Sequence, residues 1–157
     1  MRARPGIPTP RAPRLEVPID ASGPRKILIV DDETGLRQSV KQALLADGRR
    51  IDLAASGEEA LRLEAENSYA VIVADLMMPG LSGLDLLRTL KERGSRARLI
   101  LISGYATIAA AQQAVRRGAF EFLAKPFMPV EIRALVERAL NEEPAATDPK
   151  NGCDLSG

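Results

Sequence analysis

Five short apolar stretches alternate with amphipathic stretches through the middle of the chain. The apolar stretches are residues 27–30, 51–54, 71–74, 99–102 and 120–123. Between them, apolar residues recur at the three- and four-residue intervals of one helix face. The clearest examples are Leu36, Val40, Ala43 and Leu44, then Leu84, Leu87 and Leu90, and finally Ile132, Leu135, Val136 and Ala139. This alternation predicts β-α-β units built around a parallel sheet.

Three of the predicted strands, 27–30, 71–74 and 99–102, are nearly uninterrupted apolar runs. Such runs are typical of strands that helices cover on both faces, so we expect these three at the centre of the sheet. Five parallel strands joined by right-handed crossovers then predict an α/β fold. Its expected form is a doubly wound, flavodoxin-like sheet with strand order 2-1-3-4-5.

Capping residues agree with these boundaries. Ser56 and Glu59 have the spacing of a capping box, in which two side chains bond backbone N–H groups at a helix start. Gly48, Gly94 and Gly118 stand where three of the helices are expected to end. Glycine is favoured there because helices often end in the left-handed conformation.

The two ends of the chain lack these patterns. Residues 1–24 are rich in proline and arginine, and residues 143–157 show no apolar periodicity. We interpret them as a disordered leader and a disordered tail, and residues 25–142 as one folded domain. The single cysteine, Cys153, falls in the tail and is interpreted as a solvated residue.

Composition excludes several classes of function. The 157 residues include 22 Lys and Arg against 21 Asp and Glu, and the formal charge of +1 gives no reason to expect nucleic-acid or anionic-membrane binding. No apolar run suits a membrane span or a signal peptide, which favours the cytoplasm. The absence of histidine excludes histidine catalysis, histidine metal ligands and a phosphohistidine on this chain.

Acidic side chains follow two neighbouring strands of the predicted sheet. Asp31, Asp32 and Glu33 come directly after the first strand, and Asp75 follows the third. Ligands of such sheets bind at the carboxyl ends of the strands, at the switch point between strands 1 and 3. Like charges about 4 Å apart repel by roughly 4 kcal/mol at an effective dielectric near 20. A cluster of this kind therefore shifts its pKa values or binds a cation, and oxygen-only ligands favour Mg²⁺.

The same edge carries groups suited to an anion. Strand 4 ends in Ser103 and Gly104, and Lys125 follows strand 5. A hydroxyl, a backbone N–H and an ammonium, together with Mg²⁺, would neutralise the oxygens of a phosphoryl group during in-line transfer. Carboxylates are established covalent nucleophiles for phosphoryl groups, so an acid of the cluster is a candidate acceptor.

These residues resemble the response-regulator receiver domains of two-component signalling. The resemblance runs from Arg25 to Glu142 and rests on four signatures that stand in order at the strand ends. The signatures are Asp31-Asp32, Asp75 followed by Met78-Pro79-Gly80, Ser103-Gly104, and Lys125-Pro126-Phe127.

The resemblance implies a role for each residue of the cluster. Asp75 would accept a phosphoryl group from the phosphohistidine of a sensor histidine kinase or a histidine phosphotransfer protein. Asp32, Asp75 and the backbone carbonyl of Met77 would hold Mg²⁺, with Asp31 acting through water. Lys125 and Ser103 would contact the phosphoryl oxygens. Such a domain is a switch that catalyses its own phosphorylation and dephosphorylation, and it is not a turnover enzyme.

The resemblance also implies how phosphorylation is reported and reversed. Ser103 would move toward the phosphate while Phe122 rotates inward, and the Lys125–Pro126 peptide bond would be cis. Met77 and Tyr105 stand where other receivers tune the access of water to the phosphoryl group. An apolar chain and an aromatic ring should hinder hydrolysis there, so we expect a long-lived phosphorylated state.

Partners follow from the same resemblance. The face made by helix 4, strand 5 and helix 5 would dock a downstream protein, an output domain or a second copy in a homodimer. The segment 103–127 looks like receivers that precede transcription-activating domains. A stand-alone regulator and a piece of a longer one both remain open.

Three other functions compete with this interpretation. A Mg²⁺-dependent phosphatase with an aspartyl nucleophile would place its nucleophile and acid two residues apart after strand 1, whereas this chain has Asp31-Asp32-Glu33-Thr34. A nucleotide or flavin binder would need a glycine-rich turn there instead of an acidic one. A docking module that no longer uses phosphate would not need the intact acids, Ser103 and Lys125.

Overall fold

The computed structural model describes residues 25–45, 49–104 and 107–142. The strands are β1 (Arg25–Val30), β2 (Arg49–Ala54), β3 (Val71–Asp75), β4 (Arg98–Ser103) and β5 (Glu121–Ala124). The helices are α1 (Thr34–Leu44), α2 (Gly57–Glu66), α3 (Gly83–Glu92), α4 (Ile108–Arg116) and α5 (Pro129–Asn141). The predicted leader 1–24 and tail 143–157, with Gly48, Tyr105 and Cys153, lie outside the described residues.

The five strands form one parallel sheet in the order β2-β1-β3-β4-β5, which confirms the predicted fold. Strands β1 and β2 each begin two residues before the predicted stretch. There Arg25 pairs with Arg49 and Lys26 with Arg50, because backbone pairing continues beyond the apolar core. Strand β5 begins at Glu121 and not at Phe120, and it extends through Ala124.

The core lies on both faces of the sheet. Alternate strand residues point to opposite faces, so Leu28, Ile72 and Leu101 belong to one buried cluster while Ile27, Val73 and Ile100 belong to the other. Every residue of β3 is buried, as expected for a strand covered on both sides. Burying one such Ile or Leu side chain contributes roughly 1.5–3 kcal/mol, so the central strands form a rigid platform for the loops at their ends.

The helix ends partly follow the predicted capping. Ser56 Oγ accepts from the Glu59 N–H at 3.1 Å, but Glu59 Oε1 accepts from the N–H of Ala55 at 2.8 Å and not from that of Ser56. The predicted box therefore closes one residue earlier. Gly94 and Gly118 have positive φ angles of 71° and 118°, which confirms glycine at two of the helix ends.

Helix α3 begins unusually close to the end of β3. Its Gly83 N–H donates to the Leu76 carbonyl at 2.9 Å. A Cβ on Gly83 would lie 2.8 Å from the Asp75 carbonyl oxygen and 2.9 Å from the Leu76 Cα. Backbone atoms cannot yield as a flexible side chain does, so only glycine allows this approach. A capping box between Ser82 and Asp85, which was not among the predicted caps, stabilises the same helix start.

Within the described part of the chain, no helix combines the length and the apolar character that crossing a membrane would require.

Candidate functional site

Three carboxylates meet at the carboxyl edge of β1 and β3. One oxygen from each of Asp31, Asp32 and Asp75 lies within 4.8 Å of the other two. Asp31 and Asp75 are buried, whereas Asp32 is exposed. The structure therefore brings together the acids that the strand ends predicted.

The environment of the Asp31 carboxyl disfavours its charged form. Burial raises its pKa to about 6, and the neighbouring charge of Asp75 acts in the same direction. A hydrogen bond from the Glu33 N–H to Asp31 Oδ1, at 2.8 Å, opposes the shift without cancelling it. The Arg37 guanidinium donates to the Asp31 carbonyl oxygen and to Thr34 Oγ1, which ties the loop after β1 to the first turns of α1.

Asp75 has one partner on each carboxylate oxygen. Lys125 Nζ donates to Oδ2 at 2.8 Å, and the Met77 N–H donates to Oδ1 at 3.0 Å. Burial works against the charged form of Lys125, but the hydrogen bond and the charge of Asp75 outweigh it and raise the pKa of the ammonium. Asp75 and Lys125 therefore form a partly buried ion pair.

The donor set of this edge fits a hard divalent cation. All three side chains offer carboxylate oxygens, and two of them are shielded from water. A cation would offset the repulsion and the burial that raise the Asp31 pKa. Among the described residues, this cluster includes no nitrogen or sulfur ligand of the kind that softer metals prefer. The three carboxylates could therefore hold a metal ion.

Ser103 is fully buried, but its hydroxyl is turned toward the start of α4. Ser103 Oγ lies 2.6 Å from Thr107 Oγ1 and 3.0 Å from the Gly104 carbonyl oxygen. The Ser103 hydroxyl was predicted to contact a phosphoryl oxygen, and Thr107 was not predicted as its neighbour. The four-residue separation between two hydroxyl residues, one ending a strand and one starting a helix, was the only sequence signal available.

The remaining predicted residues lie on β5, in the segment after it, and two residues after Asp75. Phe122 is half-buried on β5 and packs against the core cluster that contains Leu101. The Lys125–Pro126 peptide bond is cis, as the resemblance implied. The Met77 side chain is 63% exposed.

A groove adjoins the ion pair on the side of α1. It has a volume of about 410 Å³. Its walls include Leu36 and Ala43 from α1, and Lys125 and Phe127 from the segment after β5. Lys125 thus belongs both to the acidic cluster and to a largely apolar depression large enough for side chains of another protein.

Comparison with known proteins gives the same fold and the same family. A family model described as "Response regulator receiver domain" matches residues 27–137. A receiver domain protein from Clostridium thermocellum has a TM-score of 0.70 at 36% identity, and the match covers 74% of this chain and 94% of that one. The receiver domain of NtrX from Brucella abortus has a TM-score of 0.70 at 33% identity, and the match covers 74% of this chain and 99% of that one.

A curated relative is longer. The DNA-binding transcriptional regulator NtrC of Escherichia coli strain K12 is 34% identical over 125 residues, which cover 80% of this chain. The matched part spans only 27% of that regulator. The family model, the relatives and the parallel five-stranded sheet all indicate the same family. This chain belongs to the family of response-regulator receiver domains.

Proposed function

We propose that this receiver is a phosphorylation-controlled switch in which Asp75 accepts a phosphoryl group in a Mg²⁺-dependent reaction. The observation that carries the proposal is the ion pair between Asp75 and Lys125 at 2.8 Å, set within a cluster of three carboxylates. A nucleophile, a cation for the transferred oxygens and ligands for a metal ion thereby share one small surface.

The transfer balances as a simple displacement. A carboxylate oxygen of Asp75 attacks the phosphorus atom of a phosphohistidine on the donor protein. An O–P bond forms as the P–N bond breaks, and the imidazole leaves with its electron pair and takes up a proton. Catalysis of such a step is mostly positioning and charge stabilisation.

Asp32, Asp75 and the Met77 carbonyl would hold Mg²⁺, with Asp31 contributing through a bound water. The ion would supply positive charge to the phosphoryl oxygens as they pass to Asp75. Asp31 suits the outer position because its Oδ1 already accepts from the Glu33 N–H, and because its burial penalises an unrelieved negative charge.

Lys125 has a second role once Asp75 is phosphorylated. Once Asp75 is an acyl phosphate, the negative charge lies on the phosphoryl oxygens and no longer on the carboxylate. The ammonium then follows this charge from Asp75 Oδ2 to a phosphoryl oxygen, and Ser103 supplies a hydroxyl donor to another. Phe122 turns inward as Ser103 moves, and this links the site to the α4–β5–α5 face.

A phosphohistidine donor would lie outside this sequence, because the 157 residues contain no histidine. A sensor histidine kinase or a histidine phosphotransfer protein would seat apolar side chains in the groove between α1 and the segment after β5. That position would bring the donor imidazole beside Asp75, since Lys125 belongs to the groove and to the site alike.

The α4–β5–α5 face would pass the signal to a downstream protein, to an output domain or to a second copy of the chain. A DNA-binding transcriptional regulator stands among the relatives, and the chain corresponds to about a quarter of its length. An output domain on the same polypeptide is therefore one candidate, with residues 25–142 as the receiver.

Incubation with acetyl phosphate and Mg²⁺, followed by intact-mass measurement, tests the proposal. We expect one phosphoryl adduct per chain, which EDTA prevents and which Asp75→Asn lacks. Glu92→Gln is the matched control, because Glu92 is an exposed residue at the C-terminal end of α3. An adduct that persists in Asp75→Asn, or continued release of phosphate over many turnovers as in a phosphatase, would contradict the switch.

A further inference from the structure

Thr107 occupies the position before α4 where a threonine normally caps the helix, yet its side chain makes no capping hydrogen bond. A capping hydroxyl usually accepts from the second or third N–H of the helix, here those of Ala109 and Ala110, and contributes about 1 kcal/mol. The Thr107 hydroxyl instead points back to the end of β4. The contacts that the Thr107 hydroxyl makes there explain this orientation.

Those contacts form a closed triangle, which we call the hydroxyl triangle: Ser103 Oγ, Thr107 Oγ1 and the Gly104 carbonyl oxygen. The two hydroxyl oxygens lie 2.6 Å apart. The Gly104 oxygen lies 3.0 Å from Ser103 Oγ and 3.1 Å from Thr107 Oγ1. The Thr107 N–H also donates to this carbonyl, at 3.0 Å, which fixes the threonine backbone beside it.

The triangle uses both hydroxyl protons, whichever way they are arranged. Each hydroxyl has one proton to donate. If Ser103 donates to Thr107, Thr107 donates to Gly104; if Thr107 donates to Ser103, Ser103 donates to Gly104; and if neither hydroxyl donates to the other, both donate to Gly104. In all three arrangements Ser103 has no proton left for a phosphoryl oxygen.

We propose that Thr107 is a positioning residue that holds the Ser103 hydroxyl in the unphosphorylated orientation, and that phosphorylation frees Thr107 to cap α4. This rests on the proposed function, because the phosphoryl group on Asp75 is what draws the Ser103 proton out of the triangle. The released Thr107 hydroxyl then accepts from the N–H of Ala109 or Ala110. One hydrogen-bond exchange thereby couples the strand end to the first turn of α4.

Beryllofluoride with Mg²⁺, a stable mimic of the phosphoryl group, tests this on the full chain. Thr107→Val removes the hydroxyl at nearly constant volume, and Thr107→Ser keeps it. Thr107→Val loses the triangle, which favours binding, and also the α4 cap, whose loss opposes binding, so we expect its affinity for beryllofluoride to change by less than about fivefold, the effect of one ordinary hydrogen bond. Thr107→Ser should match the unmodified chain. Thr107→Ala repeats the test if the valine variant does not fold.

Amide hydrogen exchange at Ala109 and Ala110 supplies a second readout, which a merely structural role would not move. Protection of one of these amides should rise on beryllofluoride binding in the unmodified chain and in Thr107→Ser, but not in Thr107→Val. In a Ser103→Ala background, Thr107→Val should leave the affinity unchanged.

The contrary results distinguish a failure of the Thr107 role from a failure of the proposed function. An affinity change well beyond fivefold in Thr107→Val, or a rise in protection that this variant also shows, overturns the role of Thr107 while leaving the receiver switch intact. Failure of the unmodified chain to bind beryllofluoride at all overturns the proposed function, and the role of Thr107 with it.

Discussion

Lys125 Nζ lies 2.8 Å from Asp75 Oδ2, although 50 positions separate the two residues in the sequence. The contact exists because β3 and β5 end at the same edge of the sheet, with β4 between them. Lys125 is the only cation among the described contacts of the Asp75 side chain, and it lies beside a cluster of three acids. The chemistry of the site depends on this pair.

Removing the ammonium should slow phosphorylation. We expect Lys125→Met, which is similar in length but uncharged, to lower the rate of phosphorylation by acetyl phosphate roughly 100-fold, the usual effect of losing one charge-stabilising donor. The rate would be followed by intact mass at saturating Mg²⁺. Lys125→Arg retains the charge and should lose less. Equal rates in the methionine variant and the unmodified chain would show that the ammonium does not assist the transfer.

Asp31 should make the metal-free protein less stable as the pH rises. Its folded-state pKa of about 6 lies above the ordinary 3.8, chiefly through burial. The contribution of this group is therefore fully present below about pH 4 and is lost as the pH rises through about 6. In EDTA, urea unfolding should give a free energy that falls between pH 4 and pH 6.5 more steeply in the unmodified chain than in Asp31→Asn.

Saturating Mg²⁺ should reduce this difference between the two proteins, because the ion stabilises the charged form. If the free energy of unfolding in EDTA changed with pH in the same way for the unmodified chain and Asp31→Asn, the raised pKa of Asp31 would be refuted.

Gly83 should tolerate no side chain. A Cβ there would meet the Asp75 carbonyl and the Leu76 Cα at under 3 Å, so we expect Gly83→Ala to lower the free energy of unfolding by about 1–3 kcal/mol. Gly35→Ala is the matched control, since Gly35 is an exposed residue of α1 with nothing within 4 Å of the added carbon. The control should stabilise the protein by up to about 1 kcal/mol. Urea denaturation measures both, and similar values for the two variants would contradict the close approach of α3 to β3.

Met77 and Tyr105 should set the lifetime of the phosphorylated state. Met77 lies beside the acceptor, where its N–H bonds Asp75 and its side chain is exposed, so a polar replacement should not disturb the core. We expect Met77→Asn with Tyr105→Glu to accelerate loss of the phosphoryl group about tenfold or more, because polar side chains can orient an attacking water. Decay after removal of the donor, followed by intact mass, gives the rate. An unchanged lifetime would remove these two positions from the mechanism.

The fold was largely predictable because its signal is repeated along the chain. Runs such as 71–74 are apolar on both faces, and only a strand covered on both sides suits them. The acidic cluster followed from the same reasoning, since Asp31 and Asp75 come directly after neighbouring strands.

Other features depend on contacts that no spacing rule specifies. The Glu59 carboxylate bonds the N–H of Ala55 instead of that of Ser56, a choice between adjacent backbone groups. The Ser103 hydroxyl meets Thr107 because the Thr107 N–H bonds the Gly104 carbonyl, which brings the start of α4 back to the end of β4. Gly83 carried no signal of its own, because its importance lies in the nearness of backbone atoms from β3.

The most direct test of the central claim is to locate the phosphoryl group. The full chain is treated with acetyl phosphate and Mg²⁺, the acyl phosphate is trapped by borohydride reduction, and the peptides are sequenced by mass spectrometry. The account predicts that Asp75 alone is reduced, and that EDTA abolishes the modification. Reduction at Asp31, Asp32 or another carboxylate, or modification that proceeds equally without the metal, would contradict it.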